Sequence, residues 1–424
     1  MTNDEPIRLT GGTGSPYTQK MLALLRYRRL PYAVHWGSPA EACEAMGVEK
    51  PNPIFEPTFF FEKAEDTQAV CDSTPNIRRL EDMHTPRSVL PIDPALAFID
   101  YLIEDFADEW CTKYMFHYRW HAKLDADNAG TLLPLSMDVS MPSDTHKNFK
   151  HFVEDRQIGR LYVVGSNDTT APVIDASYRR FLAAMENHLG NQKYMLGNRP
   201  AAGDFGLYGQ LSQLVGFDPT PRSIAHEVSP RTVAWVDLMR DQSGLEPTEQ
   251  DWMGLADQPE SLRGLLQEIG RMYAPAQLAN VQAVQAGEKT WNAEIDGAPW
   301  SQQTFPYQAK CLRWTNEHYR ALSTADRPSV HALLACTGVD NMLSREPRTP
   351  TMSTHPMNRK NIYLKLAIVG TLEPPIAGAT YLLEHGYNPA HLMPAIFSSP
   401  VSAMVGINVI IGCITLAILM HTEG

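Results

Sequence analysis

A hydroxyl group, three glycines and a proline stand together near the start of the chain, in the stretch 11–16, GGTGSP. The stretch joins the short apolar run at Ile7 to a helical pattern at 17–29, which predicts a strand, a tight turn and a helix start. Pro16 suits the first helical position and Ser15 the N-cap. The free N–H groups of that first turn and the helix dipole favour a small anion beside Ser15, such as a carboxylate or a thiolate.

Two later stretches also have residue types that bind small polar ligands. Pro57 follows Glu56 and opens the β-rich run 57–62, where a proline would be unusual in a central strand. Asp72 and Ser73 open a helical pattern and place a carboxylate and a hydroxyl at its N-terminus. Taken alone, Ser15 and the Asp72-Ser73 pair are also what ordinary helix caps look like.

In this order the three stretches resemble the glutathione transferase family. The resemblance implies that Ser15 contacts the glutathione sulfur, that the backbone of cis-Pro57 after Glu56 pairs with the tripeptide, and that Asp72 and Ser73 hold its γ-glutamyl end. It further implies a homodimer that uses glutathione as cosubstrate, needs no metal, and joins the glutathione thiolate to an electrophilic small molecule. Because a serine cannot form a mixed disulfide, conjugation, dehalogenation or ether cleavage is favoured over thiol transfer.

The second substrate is expected against the helical half of such a protein. Tyr17 is a second candidate for contacting the thiolate, and with Tyr114 and Tyr118 it is predicted to line the second-substrate pocket. The aromatic cluster around residues 114–120 is equally typical of a domain interface. The acidic residues between 104 and 109 are expected to form a solvated face rather than an acid-base pair.

Composition excludes several other classes of protein. The net charge of −12 argues against nucleic acid as a general partner, since phosphate binding needs clustered Lys and Arg. The six cysteines have neither C-x-x-C nor metal-ligand spacing, so they are interpreted as reduced cytosolic thiols. The polar, acidic N-terminus lacks the layout of a secretory signal.

The elements that position these residues fall into two predicted domains. Short β-type runs alternate with helices over 1–88, which favours an α/β, thioredoxin-like domain. Residues 94–344 are read as an all-α domain with an extension at 285–344 that packs on it, and its first helix is predicted from Ala95 to about Lys123. In the resembled family a hydroxyl cap opens the buried sixth helix of that domain, and Ala201 replaces it here.

The last part of the chain is chemically different. A polar, proline-bearing linker at 345–361 leads to 362–424, where two apolar segments predict a transmembrane helical hairpin that contacts the membrane over 362–420. Basic residues precede the hairpin and its loop has none, so both ends are placed in the cytoplasm. This part also resembles a small bacterial membrane domain of unknown function. A buried hairpin in a cytoplasmic protein is the alternative.

These observations predict a membrane-anchored glutathione transferase whose enzyme domain lies in the cytoplasm. A non-catalytic transferase-like module that binds a partner or stabilises a membrane assembly is the main alternative. A third reading is a transporter or sensor in which the hairpin carries the activity around Glu373.

Overall fold

A four-stranded mixed sheet forms the first part of the protein. The computed structural model describes residues 5–63, 66–84 and 87–343. The sheet has the order β2-β1-β3-β4, with β2 parallel to β1 and the other neighbours antiparallel. Its strands and helices are β1 (Ile7–Gly11), α1 (Pro16–Tyr27), β2 (Tyr32–Trp36), α2 (Pro39–Ala45), β3 (Thr58–Lys63), β4 (Asp66–Val70) and α3 (Ser73–Met83). This order of elements is thioredoxin-like, as predicted.

Helices make up most of the second part. They are α4 (Pro94–Phe106), α5 (Thr112–His121), α6 (Lys123–Met137), α7 (Ser143–Ile158), α8 (Ala171–Leu189), α9 (Ala202–Gly216), α10 (Pro219–Val228), α11 (Pro230–Met239), α12 (Glu260–Glu268), α13 (Ala274–Ala286), α14 (Pro306–Ala321) and α15 (Arg327–Leu334). Shorter helical turns lie at Leu161–Val164, Glu249–Asp251, Leu255–Asp257, Ile269–Tyr273 and Val339–Met342. The coarse prediction of an α/β layer followed by a helical part is confirmed for the described residues, while the exact domain limits stay predictions.

Two features of the helical part differ from the sequence prediction. The long first helix is divided, because a π-helical turn at Ala107–Cys111 separates α4 from α5. The part is also not wholly helical, because β5 (Thr290–Ile295) and β6 (Ala298–Gln303) form an antiparallel hairpin. Asp296 and Gly297 connect the two strands, both with positive φ, as a tight two-residue hairpin turn requires.

The two parts share one hydrophobic core. It runs from Leu9 in β1 to Leu343, and α1 lies between the sheet and α9. The two helices approach so closely that a Cβ on Gly209 would stand 2.6 Å from the carbonyl oxygen of Pro16. Only glycine fits there, so the first turn of α1 is pressed directly onto the helical part.

The start of α9 departs from a full capping box as expected from Ala201. Asp204 supplies the acidic half, because its carboxylate accepts hydrogen bonds from the backbone N–H groups of Ala201 at 3.0 Å and Met195 at 2.9 Å. Burial raises the pKa of Asp204 to about 7 against these bonds. The next N–H groups have acceptors outside α9, because that of Ala202 donates to the Val89 carbonyl at 3.0 Å and that of Gly203 to Asp100 Oδ1 at 2.7 Å, so the helix start needs no hydroxyl cap.

A buried ion cluster, which the sequence analysis did not find, also joins the two parts. The Lys20 ammonium in α1 donates to Ser73 Oγ at 3.0 Å, Glu104 Oε1 at 2.8 Å and Asp108 Oδ2 at 2.6 Å. Arg78 in α3 pairs with the other oxygen of Glu104 at 2.5 Å. Burial lowers the pKa of Lys20, but the two carboxylates outweigh it and keep the ammonium charged.

The predicted linker at 345–361 and the predicted hairpin at 362–424, with Glu373, lie outside the described residues. Within the ranges that the structure describes, none of the helices combines the length and the apolar character that crossing a membrane demands.

Replacing Lys20 by methionine tests the ion cluster. We expect Lys20→Met to lower the free energy of unfolding by about 3–5 kcal/mol, because it leaves two carboxylates buried without their ammonium. The measurement is urea denaturation followed by circular dichroism. Arg8→Met is the control: it breaks the Arg8–Glu62 pair, whose side chains are 47% and 52% exposed, and should cost less than about 1 kcal/mol. Equal effects of the two changes would contradict the assignment.

Candidate active site

The turn before α1 holds Ser15 as predicted. Ser15 has an extended backbone, Pro16 is the first helical residue, and Ser15 Oγ accepts a hydrogen bond from the backbone N–H of Thr18 at 3.3 Å. Because the oxygen accepts in this contact, the hydroxyl proton stays available. Ser15 can therefore cap α1 and donate to an anion at the same time.

Glu56 and Pro57 lie beside this turn. The Glu56–Pro57 peptide bond is cis, as expected for a proline at the start of β3. Gly12 is so near that a Cβ on it would stand 2.7 Å from Glu56 Oε2. Burial raises the pKa of Glu56, while a hydrogen bond from the Gly12 backbone opposes the rise.

Asp72 and Ser73 stand at the N-terminus of α3, but Asp72 does not act as an ordinary cap. Its φ is +80°, which a non-glycine residue seldom adopts, and its side chain makes no hydrogen bond to the first turn of α3. Instead, Asp72 Oδ2 accepts a hydrogen bond from the Tyr307 hydroxyl at 2.6 Å. Ser73 Oγ accepts from Lys20, so the Ser73 hydroxyl proton stays available to donate.

One cavity of about 470 Å³ collects much of this chemistry. Glu56, Asp72 and Ser73 line one wall, whereas Ser15 and Pro57 do not line it and Ser15 is connected to it through the Gly12–Glu56 contact. The other walls come from the helical part and from α14. They are largely apolar and aromatic, with Tyr101, Phe116, Val163, Val164, Phe305, Tyr307, Cys311 and Trp314, and the loop before β3 adds Phe55.

Of the three tyrosines predicted for the second-substrate pocket, only Tyr17 lines this cavity; its hydroxyl donates to the Asp108 carbonyl at 2.9 Å. Tyr114 and Tyr118 lie in the core, where their hydroxyls contact Ser177 at 2.6 Å and Asp175 at 2.7 Å. Their placement in the pocket is therefore corrected. The helical period explains it, because 112, 113 and 116 face the cavity while 114 and 118 lie on the opposite side of α5.

The acidic residues on the first helix are not a solvated face, so that expectation is wrong. Asp105 and Asp108 are each 8% exposed, and both line the cavity together with Glu109. Burial raises the pKa of Asp105 to about 7 and that of Glu109 to about 8. Nearby, burial lowers the pKa of Lys113 to about 8 against the attraction of Glu109.

The extension contributes to the site as well as packing on the helical part. Its helix α14 buries Cys311, Leu312 and Tyr319, in agreement with the predicted packing of the extension. Its first turns supply Tyr307, Gln308 and Trp314 to the cavity. Sequence reasoning missed these three, since no local signal connects them with residues near the start of the chain.

Metal ligands were not expected, and the described residues contain no group of three or more His, Cys, Asp or Glu side chains placed to hold a metal ion. The absence of a metal requirement stays a prediction.

The chain was compared with protein families, curated proteins and solved structures. The family described as "Protein of unknown function DUF2834" matches residues 362–424. No curated protein matches the chain.

Solved structures that resemble the chain include several transferases. A glutathione S-transferase from Rhodospirillum rubrum F11 has 17% identity and a TM-score of 0.35, over 61% of this chain and 91% of that one. Glutathione transferase YghU from Streptococcus pneumoniae, complexed with glutathione, has 14% identity and a TM-score of 0.34, over 62% of this chain and 84% of that one. A GST-like protein from Pseudomonas syringae has 14% identity and a TM-score of 0.33, over 55% of this chain and 66% of that one. Identities and TM-scores are low, so the chemistry of this site rests on the residues of the chain itself.

The raised pKa of Glu109 gives a prediction about pH. A carboxyl group whose pKa is higher in the folded protein favours folding at low pH, and this contribution is lost as the pH rises from about 4.5 to about 8. We expect Glu109→Gln, which stays neutral, to lose less stability than the parent between pH 5 and pH 8.5 in urea denaturation. Glu288→Gln, at an exposed position, should follow the parent. Identical pH profiles for Glu109→Gln and the parent would contradict the assignment.

Proposed function

We propose that this protein is a glutathione-dependent transferase that joins the glutathione sulfur to an electrophilic small molecule. One observation carries the proposal: a polar wall of Glu56, Asp72 and Ser73 faces largely apolar walls across a single cavity, and the Ser15 turn adjoins it. A polar peptide and an apolar electrophile need such a pair of surfaces in contact.

In the proposed complex the γ-glutamyl end of glutathione lies at the start of α3. Its carboxylate accepts from the Ser73 hydroxyl and from the first N–H groups of α3, where the helix dipole favours an anion. Lys20 stands directly behind Ser73 Oγ and orients that hydroxyl away from itself, because the oxygen already accepts from the ammonium. Asp72 accepts from the glutathione ammonium, and the backbone of Pro57 pairs with the middle of the tripeptide.

Ser15 then has the central chemical role. A free thiol has a pKa of about 8.5, so the site must favour the thiolate at neutral pH. The Ser15 hydroxyl donates to the sulfur, and the first turn of α1 adds its dipole. The thiolate attacks an electrophilic carbon, the new S–C bond forms as the leaving group departs with its electron pair, and the thiol proton goes to solvent.

Replacing Ser15 by alanine tests this role. We expect Ser15→Ala in the full-length chain to bind glutathione with similar affinity in isothermal titration, while the ultraviolet absorbance of bound thiolate appears at a higher pH than in the parent. The rate of conjugation at neutral pH should fall by roughly tenfold or more. Loss of one positioned hydrogen-bond donor that stabilises a reacting anion lowers kcat by about 10²–10³.

A matched control separates chemistry from helix capping. Ser38 is also an N-cap followed by a proline, and its Oγ accepts from the Glu41 N–H at 3.4 Å. Ser38→Ala removes an equivalent cap, worth about 1 kcal/mol, outside the cavity. If both variants lose activity equally, or if the thiolate titrates alike in the parent and in Ser15→Ala, Ser15 does not activate the sulfur.

A specific observation favours a second candidate, a non-catalytic transferase-like module that binds a partner. Asp72 and Ser73 already have internal partners in Tyr307 and Lys20, as residues with a purely structural role would have. Retention of the parent on immobilised glutathione, lost in Asp72→Ala, supports the enzyme. Passage of both proteins through the resin supports the module.

Membrane attachment through 362–420 belongs to the same proposal, as does a homodimer, and both rest on the sequence alone. We expect the full-length chain to stay with membrane vesicles after an alkaline carbonate wash. Ile410→Arg places a charge inside the uncharged run 400–420 at a cost of about 2.5–3.5 kcal/mol and should release the protein. His421→Arg, just beyond that run, should not. A parent that washes off the vesicles would refute the anchor.

A further inference from the structure

The contact between Tyr307 and Asp72 joins the extension to the proposed glutathione site. The two residues are 235 positions apart, and the hydroxyl lies 2.6 Å from Asp72 Oδ2. Both residues line the cavity. Tyr307 is 40% exposed, so the contact lies at the mouth of the site, where an arriving ligand can reach it.

The start of α14 is held in place from behind. The backbone N–H of Phe305 donates to Asn280 Oδ1 at 2.8 Å, and Asn280 Nδ2 donates back to the Phe305 carbonyl at 2.9 Å. Tyr307 is the second residue of α14, and its ring meets Trp314 edge to face at 6.5 Å. The phenol therefore reaches Asp72 from a fixed base.

The chemistry of the contact distinguishes between ligands. Burial and the Asp72 carboxylate raise the pKa of Tyr307 above its usual range, so the phenol is a neutral donor at all ordinary pH values. An ammonium group is a charged donor and forms the stronger bond to a carboxylate. A ligand with a free α-ammonium can displace the phenol, whereas a ligand without one gains nothing at Asp72 in exchange.

We propose that Tyr307 makes an autoinhibitory contact, in which its hydroxyl occupies the position on Asp72 that the ammonium of the thiol substrate must take. The extension thereby lowers the affinity of the site for thiols that carry a free α-ammonium, such as glutathione, and leaves the affinity for thiols without one unchanged. This inference rests on the proposed function, because it assigns the γ-glutamyl end of the tripeptide to Asp72.

The test measures two ligands on the full-length chain by isothermal titration. Tyr307→Phe should bind glutathione about three- to tenfold more tightly than the parent, because a bond between a partly exposed phenol and a carboxylate is worth at most about one factor of ten. N-acetylglutathione has no ammonium, so its affinity should stay within about twofold. In an Asp72→Ala background, Tyr307→Phe should change neither affinity.

Tyr319→Phe is the control, since it removes another hydroxyl from α14 at a buried position outside the cavity. It should bind both ligands as the parent does. If the parent binds glutathione and Tyr307→Phe binds it equally or more weakly, the autoinhibitory role is overturned while the proposed function stands. If no variant binds glutathione, the proposed function fails and this inference fails with it. Binding by Tyr307→Phe alone would support both.

Discussion

A single ammonium group, that of Lys20, joins α1 to three elements that border the cavity. It is fully buried, and it touches α3 through Ser73, α4 through Glu104 and the π-helical turn through Asp108. A buried charge of this kind persists only where its partners are held in good geometry. The sheet part and the helical part are therefore fixed relative to each other at the place where the proposed ligand crosses between them.

Local signals in the sequence were enough to predict the local structure of three stretches. A serine before a proline, a proline at a strand start and an acidic residue before a helical pattern each act over a few residues, and the structure places all three stretches as predicted. The β5–β6 hairpin could also have been predicted, because Asp296-Gly297 between alternating residues is a strong turn signal. The sequence therefore contained the signal that the prediction of an all-α domain overlooked.

Other parts of the site could not be predicted in this way. Lys20 lies in a helix where a lysine usually reaches solvent, and only the carboxylates of a distant helix make its burial tolerable. Tyr307 contacts Asp72 through tertiary packing, which the hydrophobic periodicity of the sequence does not predict. The error over Tyr114 and Tyr118 has a different cause, because the whole aromatic cluster was assigned to the pocket although its members lie on different faces of α5.

That π-helical turn has a consequence for how the cavity could change over time. Shortening Ala107–Cys111 by one residue would restore the ordinary helical ladder and rotate every later side chain of α5 by about 100° about its axis. Lys113 and Phe116 would swing away from the cavity together. The length of this turn thus sets which side chains of α5 face the cavity. The lining can therefore diverge through substitutions, but an insertion or deletion in this turn would displace a whole wall.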